Sequence, residues 1–126
     1  MGDGRVPRFA ALGGLSGFVA VAAGAFGAHA LRGRIAPDMV AVFETGARYQ
    51  MYHALALLFL SWACTQWPHR SLRAAGWLFV AGTVLFSGSL YLLVLTGAGW
   101  WGAVTPIGGV LLLAGWLALA VGAWRR

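Results

Sequence analysis

Ionisable and polar side chains open a stretch of the sequence that then becomes wholly apolar. The stretch begins at Glu44 and leads into the apolar run 54–60. Between them stand groups that could bind a proton, a ligand or a metal: Arg48, Tyr49, Gln50 and His53. An ionisable group inside an apolar segment is costly to bury without partners, which makes it a candidate functional residue. We therefore expect these side chains to need partners from other segments.

The composition indicates what kind of element must hold these groups. The chain has 126 residues, of which 60% are hydrophobic and 10% charged. Soluble domains are nearer ~45–50% apolar and ~25% charged, and a domain of this size could not cover so much apolar surface. The excess must face a lipid bilayer, and the length allows one membrane domain, residues 1–126. Because the apolar runs lack the two-residue alternation of barrel strands, the predicted fold class is all-α.

Four segments are each close to the ~20 residues that cross the hydrocarbon core of a bilayer. They cover about residues 9–30, 47–67, 72–95 and 103–124. The first follows a charged start and ends in an Ala-His-Ala sequence, as a secretory signal would. Its apolar run exceeds the ~7–15 residues of a signal core, so we expect a retained first helix.

The polar segment between the first two spans cannot cross the membrane. Pro37 followed by Asp38 is typical of a helix start, because proline is tolerated there and an acid suits the positive end of the helix dipole. We expect a short interfacial helix from about Pro37 to Glu44 that breaks at Gly46. The sequence thus predicts a polytopic four-transmembrane-helix bundle with an interfacial helix between helices 1 and 2.

The placement of arginine predicts the orientation. Four spans put both termini on one side, together with the loop after the second span. That side carries Arg5, Arg8, Arg70, Arg73, Arg125 and Arg126, whereas the other carries Arg32, Arg34 and Arg48. By the positive-inside rule, both termini are expected in the cytoplasm of a bacterial inner membrane. The arginines stand at segment ends and form no basic face, so no nucleic-acid partner is expected.

In this orientation, polar side chains from all four spans fall in the outer half of the bilayer. The candidate pocket comprises His29, Glu44, Arg48, Tyr49, Gln50, His53, Ser87, Ser89, Tyr91 and Thr105. We predict a polar pocket that opens toward the outer side. The alternative is that these groups serve only packing. Hydroxyls commonly bond between helices in lipid, Glu44 and Arg48 have the spacing of a helical ion pair, and His53 could donate to a neighbouring carbonyl.

Metal and catalytic sites have little support in the sequence. His29 and His53 could together ligate a haem or a transition metal, but no third ligand of matching chemistry stands near them. We therefore expect no metal and no cofactor. The sequence contains no phosphate-binding glycine loop, nucleophile elbow, HExxH or CxxC motif. No catalytic residue is assigned, and no enzymatic activity is expected.

Small residues recur at helical spacing in the first and fourth spans. In the first span the row contains Gly13, Gly17 and Gly24, and in the fourth Gly108, Gly115 and Gly122 repeat every seven residues. Such rows let helices approach closely in lipid. They are predicted to pack against a neighbouring helix of the bundle or against a second copy of the chain.

Four motifs in order along the chain resemble those of a known family. They are GAFGAHAL from Gly24, YQMYHAL from Tyr49, FSGSLY from Phe86 and TPIGG from Thr105. The chain resembles the small bacterial inner-membrane proteins of domain-of-unknown-function family 423, which are related to eukaryotic transmembrane protein 256. The resemblance covers nearly the whole chain and implies a four-helix membrane protein. It implies no catalytic residues, because the family has no established activity.

Two functions remain open from the sequence. The first is a non-enzymatic accessory or scaffold protein that works through contact, as a homo-oligomer or within a larger membrane complex. Its support is the small size, the glycine rows and the lack of catalytic motifs. The second is a binder or transporter of a small polar or amphipathic ligand (lipid, quinone or ion) through the polar pocket. A proton-coupled exporter is disfavoured because the first span holds no acid, and Glu44 is interfacial.

Overall fold

The computed structural model describes residues 8–125, and the regular elements of this range are helices. The long helices are α1 (Phe9–Phe26), α2 (Pro37–Gln66), α3 (Arg70–Thr96) and α4 (Thr105–Trp124). A π-helical turn, Gly27–Leu31, extends α1, and a 3₁₀ turn, Gly99–Ala103, precedes α4. The predicted all-α fold class is confirmed.

Three helical segments of the described range are long and apolar enough to cross a membrane. They are Phe9–Leu31, Arg70–Thr96 and Gly99–Trp124. The helix α2 is not among them, because it opens with Asp38 and Glu44 and carries Arg48, Gln50 and His53 near its middle. The structure therefore supports three of the four predicted spans by length and composition.

The predicted break at Gly46 is wrong. The helix α2 starts at Pro37, with Asp38 in its first turn, and runs for 30 residues without interruption. Gly46 allows a close helix–helix approach instead: a Cβ there would stand 2.9 Å from Cε1 of Tyr91. Its carbonyl also accepts a hydrogen bond from the Ser87 hydroxyl at 2.7 Å. The expected interfacial helix is thus the first part of α2.

The helices pack in chain order, with α2 between α1 and α3. The contacts of α1 with α2, of α2 with α3 and of α3 with α4 are extensive, whereas α1 and α3 have no comparable contact. At the end where both α1 and α3 begin, the Phe9 ring lies against Gly76. Phe9 is fully buried there beside Leu60, Leu72 and Phe79. Away from this end α1 and α3 are separated by a gap.

The glycine row of α4 lies against α3 of the same chain. A Cβ at Gly115 would stand 2.7 Å from the Phe79 ring, and a Cβ at Gly122 would stand 2.7 Å from Leu72. A Cβ at Gly108 would lie even closer to the backbone nitrogen of Phe86. Real Cβ contacts are not this short, so α4 could not approach α3 this closely with larger residues.

The glycines of α1 differ in their surroundings. A Cβ at Gly13 would stand 2.9 Å from the Ala54 carbonyl oxygen, and one at Gly17 would make an ordinary 3.8 Å contact with the Ala54 methyl group. A Cβ at Gly24 would meet no other atom within 4 Å. The packing role expected for Gly24 is therefore not seen between the described helices of this chain.

Candidate functional site

One cluster of polar side chains joins three helices. The Tyr91 hydroxyl donates to Oε1 of Gln50 at 2.6 Å, which links α3 to α2. The Gln50 amide in turn donates from Nε2 to the Ser16 hydroxyl oxygen on α1 at 3.3 Å. Gln50 and Ser87 are both buried. The cluster thus holds an amide and several hydroxyls in fixed positions at the gap between α1 and α3.

A cavity of about 390 Å³ fills this gap. We call it the α1–α3 cleft; α2 forms its back wall. Most of its lining is aliphatic, and its polar groups are uncharged. The lining residues are Leu12, Leu15, Ser16, Val19, Gln50, Leu57, Val80, Thr83, Val84, Ser87, Gly88 and Tyr91.

The α1–α3 cleft is closed at one end, has an aromatic contact near the other and is open at its side. The Phe9–Gly76 contact closes the end where α1 and α3 begin. Toward the other end the Tyr91 ring packs on Phe43, with ring centroids 4.9 Å apart. Leu15 and Val84, which line the cleft, are 63% and 65% exposed, so its mouth lies on the outer surface of the helices.

Thr83 lines the α1–α3 cleft, but its hydroxyl oxygen is buried and does not face the open space. Its Oγ1 is the one buried side-chain polar atom without a hydrogen-bond partner in the part of the chain that the structure describes. A helical threonine can bond to the carbonyl four residues earlier, but Thr83 makes no such bond. A buried donor without a partner costs about 1–3 kcal/mol. The unpaired hydroxyl is therefore a local cost to the packing of α3.

His53 lies away from this cleft and links α2 to α4. Its side chain is 4% exposed. Its Nδ1 stands 2.6 Å from the Tyr49 carbonyl oxygen, and the Trp116 indole donates to Nε2 at 3.0 Å. A carbonyl can only accept and an indole N–H can only donate, so the neutral tautomer protonated at Nδ1 satisfies both contacts. Both ring nitrogens are engaged, which leaves neither free to bind a metal.

A second cavity, of about 380 Å³, lies beside His53 between α2, α3 and α4. Tyr49 and Phe86 line it with stacked rings whose centroids are 5.1 Å apart. Its remaining walls are mostly aliphatic and aromatic residues of α4. The polar groups of His53 are already paired, so this cavity offers a ligand fewer open hydrogen-bonding groups than the α1–α3 cleft does.

The ionisable groups near the start of α2 form a different arrangement from the predicted one. Glu44 pairs with Arg32 at 2.7 Å, and not with Arg48. The continuous helix would allow Glu44 to pair with Arg48 one turn later. The loop before α2 instead places the Arg32 guanidinium against the Glu44 carboxylate. Arg48 is exposed beside a shallow groove of about 320 Å³ shared with Glu44. His29 is exposed in the π-helical turn.

Ser89 and Thr105 form a further, separate contact where α3 meets α4. Their hydroxyl oxygens are 2.5 Å apart. Each hydroxyl can also donate to a backbone carbonyl, Ser89 to Phe86 at 2.9 Å and Thr105 to Trp101 at 3.4 Å, so either of the two can be the donor of the pair. This contact joins the helices and leaves no open group toward either cavity.

The predicted pocket residues are therefore divided among several places. Gln50, Ser87 and Tyr91 meet at the α1–α3 cleft; Tyr49 and His53 face α4. Sequence reasoning missed Ser16 and Thr83. A signal for Thr83 exists, because Thr83, Ser87 and Tyr91 are spaced four residues apart and so share one face of α3. No three His, Cys, Asp or Glu side chains come together among residues 8–125.

The chain was compared with known proteins. A family model described as "Protein of unknown function (DUF423)" matches residues 23–109. The UPF0382 membrane protein SAB0533 of Staphylococcus aureus (strain bovine RF122 / ET3-1) is 45% identical over 117 residues, which cover 93% of this chain and 95% of that protein. The UPF0382 membrane protein YwdK of Bacillus subtilis (strain 168) is 44% identical over 116 residues, with 91% and 94% covered. No solved structure matches the chain significantly. The chain belongs to the DUF423 family of bacterial membrane proteins, the family that its sequence motifs resemble.

Proposed function

We propose that this chain is a non-enzymatic membrane protein that binds a small amphipathic molecule, taken from the lipid phase, in the α1–α3 cleft. The observation that carries the proposal is a cavity with aliphatic walls whose polar lining residues Ser16, Gln50 and Tyr91 are held in place by hydrogen bonds. Small-molecule sites are typically cavities of ~300–1,000 Å³ that are mostly apolar and contain a few well-placed polar groups. The α1–α3 cleft fits this description.

The shape of the cleft suits a ligand that arrives through the bilayer. Its mouth lies between Leu15 and Val84, on a surface that faces hydrocarbon when α1 and α3 span the membrane. A hydrocarbon tail would contact the aliphatic walls, while the head group would lie beside Ser16 and Gln50. Such a ligand would not need to cross water to enter.

The proposal includes a four-span topology in which α2 also crosses the inner membrane. The helix packs along both α1 and α3, and its polar Gln50 and His53 have protein partners, which lowers the cost of placing them in hydrocarbon. Its 30 residues extend over about 45 Å, more than the ~30 Å hydrocarbon core, so its first turns would project into the interface.

An even number of spans places both termini on one side, and the arginine distribution predicts the cytoplasmic side. Arg5 and Arg126 contribute to that prediction and lie outside the described residues. Reporter fusions at each terminus and in the 31–36 loop would test the orientation: a loop found in the cytoplasm, or termini found outside, would contradict it.

The absence of catalytic activity is proposed from the chemistry of the cleft. Its polar lining consists of hydroxyls, a phenol and an amide, and none of these is paired with a general base. Nucleophilic catalysis needs such a pairing. The accessory or scaffold role has lost part of its support, because α3 of the same chain covers the glycine row of α4. A homo-oligomer or larger complex would have to use other faces.

A cavity-filling substitution tests the binding function. Gly88 lines the cleft, and a Cβ at this position would meet no atom within 4 Å, so Gly88→Leu should fill the cleft without displacing backbone. Gly14→Leu is the matched control, because Gly14 is exposed on α1, has the same open space and does not line the cleft. The probe is a photoreactive long-chain monoacylglycerol in nanodiscs.

We expect wild type and Gly14→Leu to be labelled equally, with modified peptides drawn from 12–19 and 80–91. Gly88→Leu should lose at least about nine-tenths of the labelling, since tenfold weaker binding corresponds to only ~1.4 kcal/mol. Equal labelling of all three proteins, or labelling spread evenly over the lipid-facing helices, would overturn the proposal.

A further inference from the structure

We propose that the shallow groove beside Arg48 binds an anionic phospholipid, whose phosphate pairs with the Arg48 guanidinium. We call this groove, of about 320 Å³, the α1–α2 groove; its lining residues are Ala20, Gly24, Glu44, Ala47 and Arg48. The inference rests on the proposed four-span topology and goes beyond the ligand of the α1–α3 cleft. It follows from the pairing of the charged groups, from the depth of Arg48 and from the small residues of the groove.

Arg48 has no acidic partner in the part of the chain that the structure describes. The acids of this part are Asp38 and Glu44. Glu44 pairs with the Arg32 guanidinium at 2.7 Å, and this pair is neutral in total. Asp38 precedes Arg48 by ten residues, which is about 15 Å along the helix axis and beyond the reach of a side-chain pair. The groove therefore keeps one positive charge, which a partner with one negative charge would balance.

The depth of Arg48 suits the phosphate of a lipid. Arg48 precedes Gln66, the last residue of α2, by 18 residues, or about 27 Å along the axis. This length is close to the ~30 Å hydrocarbon core, so Arg48 lies near one edge of the core when Gln66 lies at the other. An arginine at this edge extends its guanidinium toward the head groups, and it can bind phosphate through two parallel charge-assisted hydrogen bonds.

The small residues of the groove leave room for an acyl chain beside the helices. Ala20 and Gly24 stand one helical turn apart on α1, and Gly24 is partly exposed. A Cβ at Gly24 would meet no atom within 4 Å, so the space above its backbone is open. An acyl chain would gain contacts there that a free phosphate ion would not, which is why we commit to a lipid as the occupant.

The charge balance favours a head group without an ammonium. Phosphatidylglycerol has one negative charge and would neutralise Arg48. Phosphatidylethanolamine has an additional positive charge, and the nearest carboxylate, that of Glu44, is already paired with Arg32. Like charges a few ångströms apart repel each other, so the groove should prefer phosphatidylglycerol.

The α1–α2 groove is distinct from the α1–α3 cleft. Arg48 and Gln50 are two residues apart on α2, which places them about 160° apart around the helix axis. Gln50 lines the cleft, and Arg48 lines the groove. A substitution in one site can therefore leave the other intact.

Lipid retention tests this inference. Each protein is placed in phosphatidylcholine nanodiscs that contain equal minor shares of phosphatidylglycerol and phosphatidylethanolamine. It is then released into mild detergent, and native mass spectrometry measures the bound lipids. The variants are Arg48→Gln and Gly24→Leu. Arg34→Gln is the control for charge, because Arg34 is exposed before the start of α2 and does not line the groove; Gly14→Leu is the control for bulk on α1. Thermal unfolding in detergent verifies that each variant is folded.

We expect wild type to retain phosphatidylglycerol about fivefold more than phosphatidylethanolamine, which corresponds to the ~1 kcal/mol contributed by one arginine beside anionic lipid. Arg48→Gln should bring this ratio close to one, because the groove then has no net charge. Gly24→Leu should lower the ratio as well, because the leucine takes the place of the acyl chain. Arg34→Gln and Gly14→Leu should keep the wild-type ratio.

Three results would overturn the inference. They are equal retention of the two lipids by wild type, a wild-type ratio in Arg48→Gln or Gly24→Leu, and a loss in Arg34→Gln as large as in Arg48→Gln. The same measurement on Gly88→Leu separates the two sites, since this variant fills the α1–α3 cleft and should keep the phosphatidylglycerol preference. Failure in the groove would leave the ligand of the cleft untouched, and the reporter fusions test the topology separately.

Discussion

The Tyr91 hydroxyl donates to Oε1 of Gln50 across 2.6 Å and so fixes which end of the amide faces α1. With Oε1 directed to α3, Nε2 is directed to Ser16 on the opposite side of the cleft. One phenol on α3 therefore sets the donor side of an amide on α2. The candidate site depends on this orientation, because it leaves the amide with a hydrogen to donate.

Removing the Tyr91 hydroxyl should weaken the fold measurably. Hydrogen bonds between membrane helices contribute about 0.6 kcal/mol on average and up to ~1.7 kcal/mol, so Tyr91→Phe should lower the free energy of unfolding by about 1 kcal/mol. Tyr52→Phe is the control, because Tyr52 is half-exposed and packs on Tyr49 without a hydrogen bond of its hydroxyl to a described residue. Detergent-titrated unfolding followed by circular dichroism measures both. If the two variants unfold alike, the Tyr91–Gln50 bond does not stabilise the protein.

Trp116→Phe should also destabilise the protein, because it leaves the buried Nε2 of His53 without a donor. We expect a loss of about 1–2 kcal/mol in the free energy of unfolding, since a buried acceptor then lacks its partner. Trp124→Phe, at a 91% exposed position near the end of α4, should cost almost nothing. The same titration provides the values. A loss in Trp124→Phe that matches the loss in Trp116→Phe would contradict a specific role for the bond.

Two glycines of α4 should differ in their response to substitution by alanine. A methyl group at Gly115 would stand 2.7 Å from the Phe79 ring, whereas one at Gly109 would lie 3.8 Å from the Phe86 ring. Overpacking typically costs about 1–3 kcal/mol, so we expect Gly115→Ala to unfold at a lower temperature and Gly109→Ala to match wild type. Thermal scans in one detergent make the comparison. Equal melting temperatures would show that α4 can move away from α3 without cost.

Thr83→Val should stabilise the protein when no ligand is present. The hydroxyl of Thr83 is buried without a partner, so its replacement by a methyl group removes a desolvation cost of about 1–3 kcal/mol. The expected gain is toward the low end of this range, because the methyl group also has to fit among the atoms that bury the hydroxyl. Thr45→Val should show no gain, since it removes a hydroxyl that is already bonded. A Thr83→Val protein that is less stable than wild type would indicate that the hydroxyl has a partner within the protein.

Much of the fold follows from the pattern of apolar runs. The apolar segments, the helix start at Pro37 and the small-residue rows all depend on local spacing, which a sequence displays directly. The break at Gly46 was predicted wrongly because a glycine has the same appearance in a sequence whether it ends a helix or admits the Tyr91 ring. Only the partner distinguishes the two cases, and it lies 45 residues further along the chain.

The candidate site was harder to predict, because helix rotation decides which polar groups meet. His53 and Gln50 stand three residues apart, yet one faces Trp116 on α4 and the other faces Tyr91 on α3. Glu44 pairs with Arg32 across a loop whose path the sequence does not reveal. Thr83 is not among the predicted pocket residues, because only the surrounding atoms show that its hydroxyl lacks a partner.

Native mass spectrometry of the protein released gently from its own membrane tests the central claim most directly. Wild type and Gly14→Leu should each carry a noncovalent amphipathic molecule that Gly88→Leu lacks, because the leucine occupies the α1–α3 cleft. If wild type carries no such molecule, or if Gly88→Leu carries it as wild type does, this cleft is not a ligand-binding site.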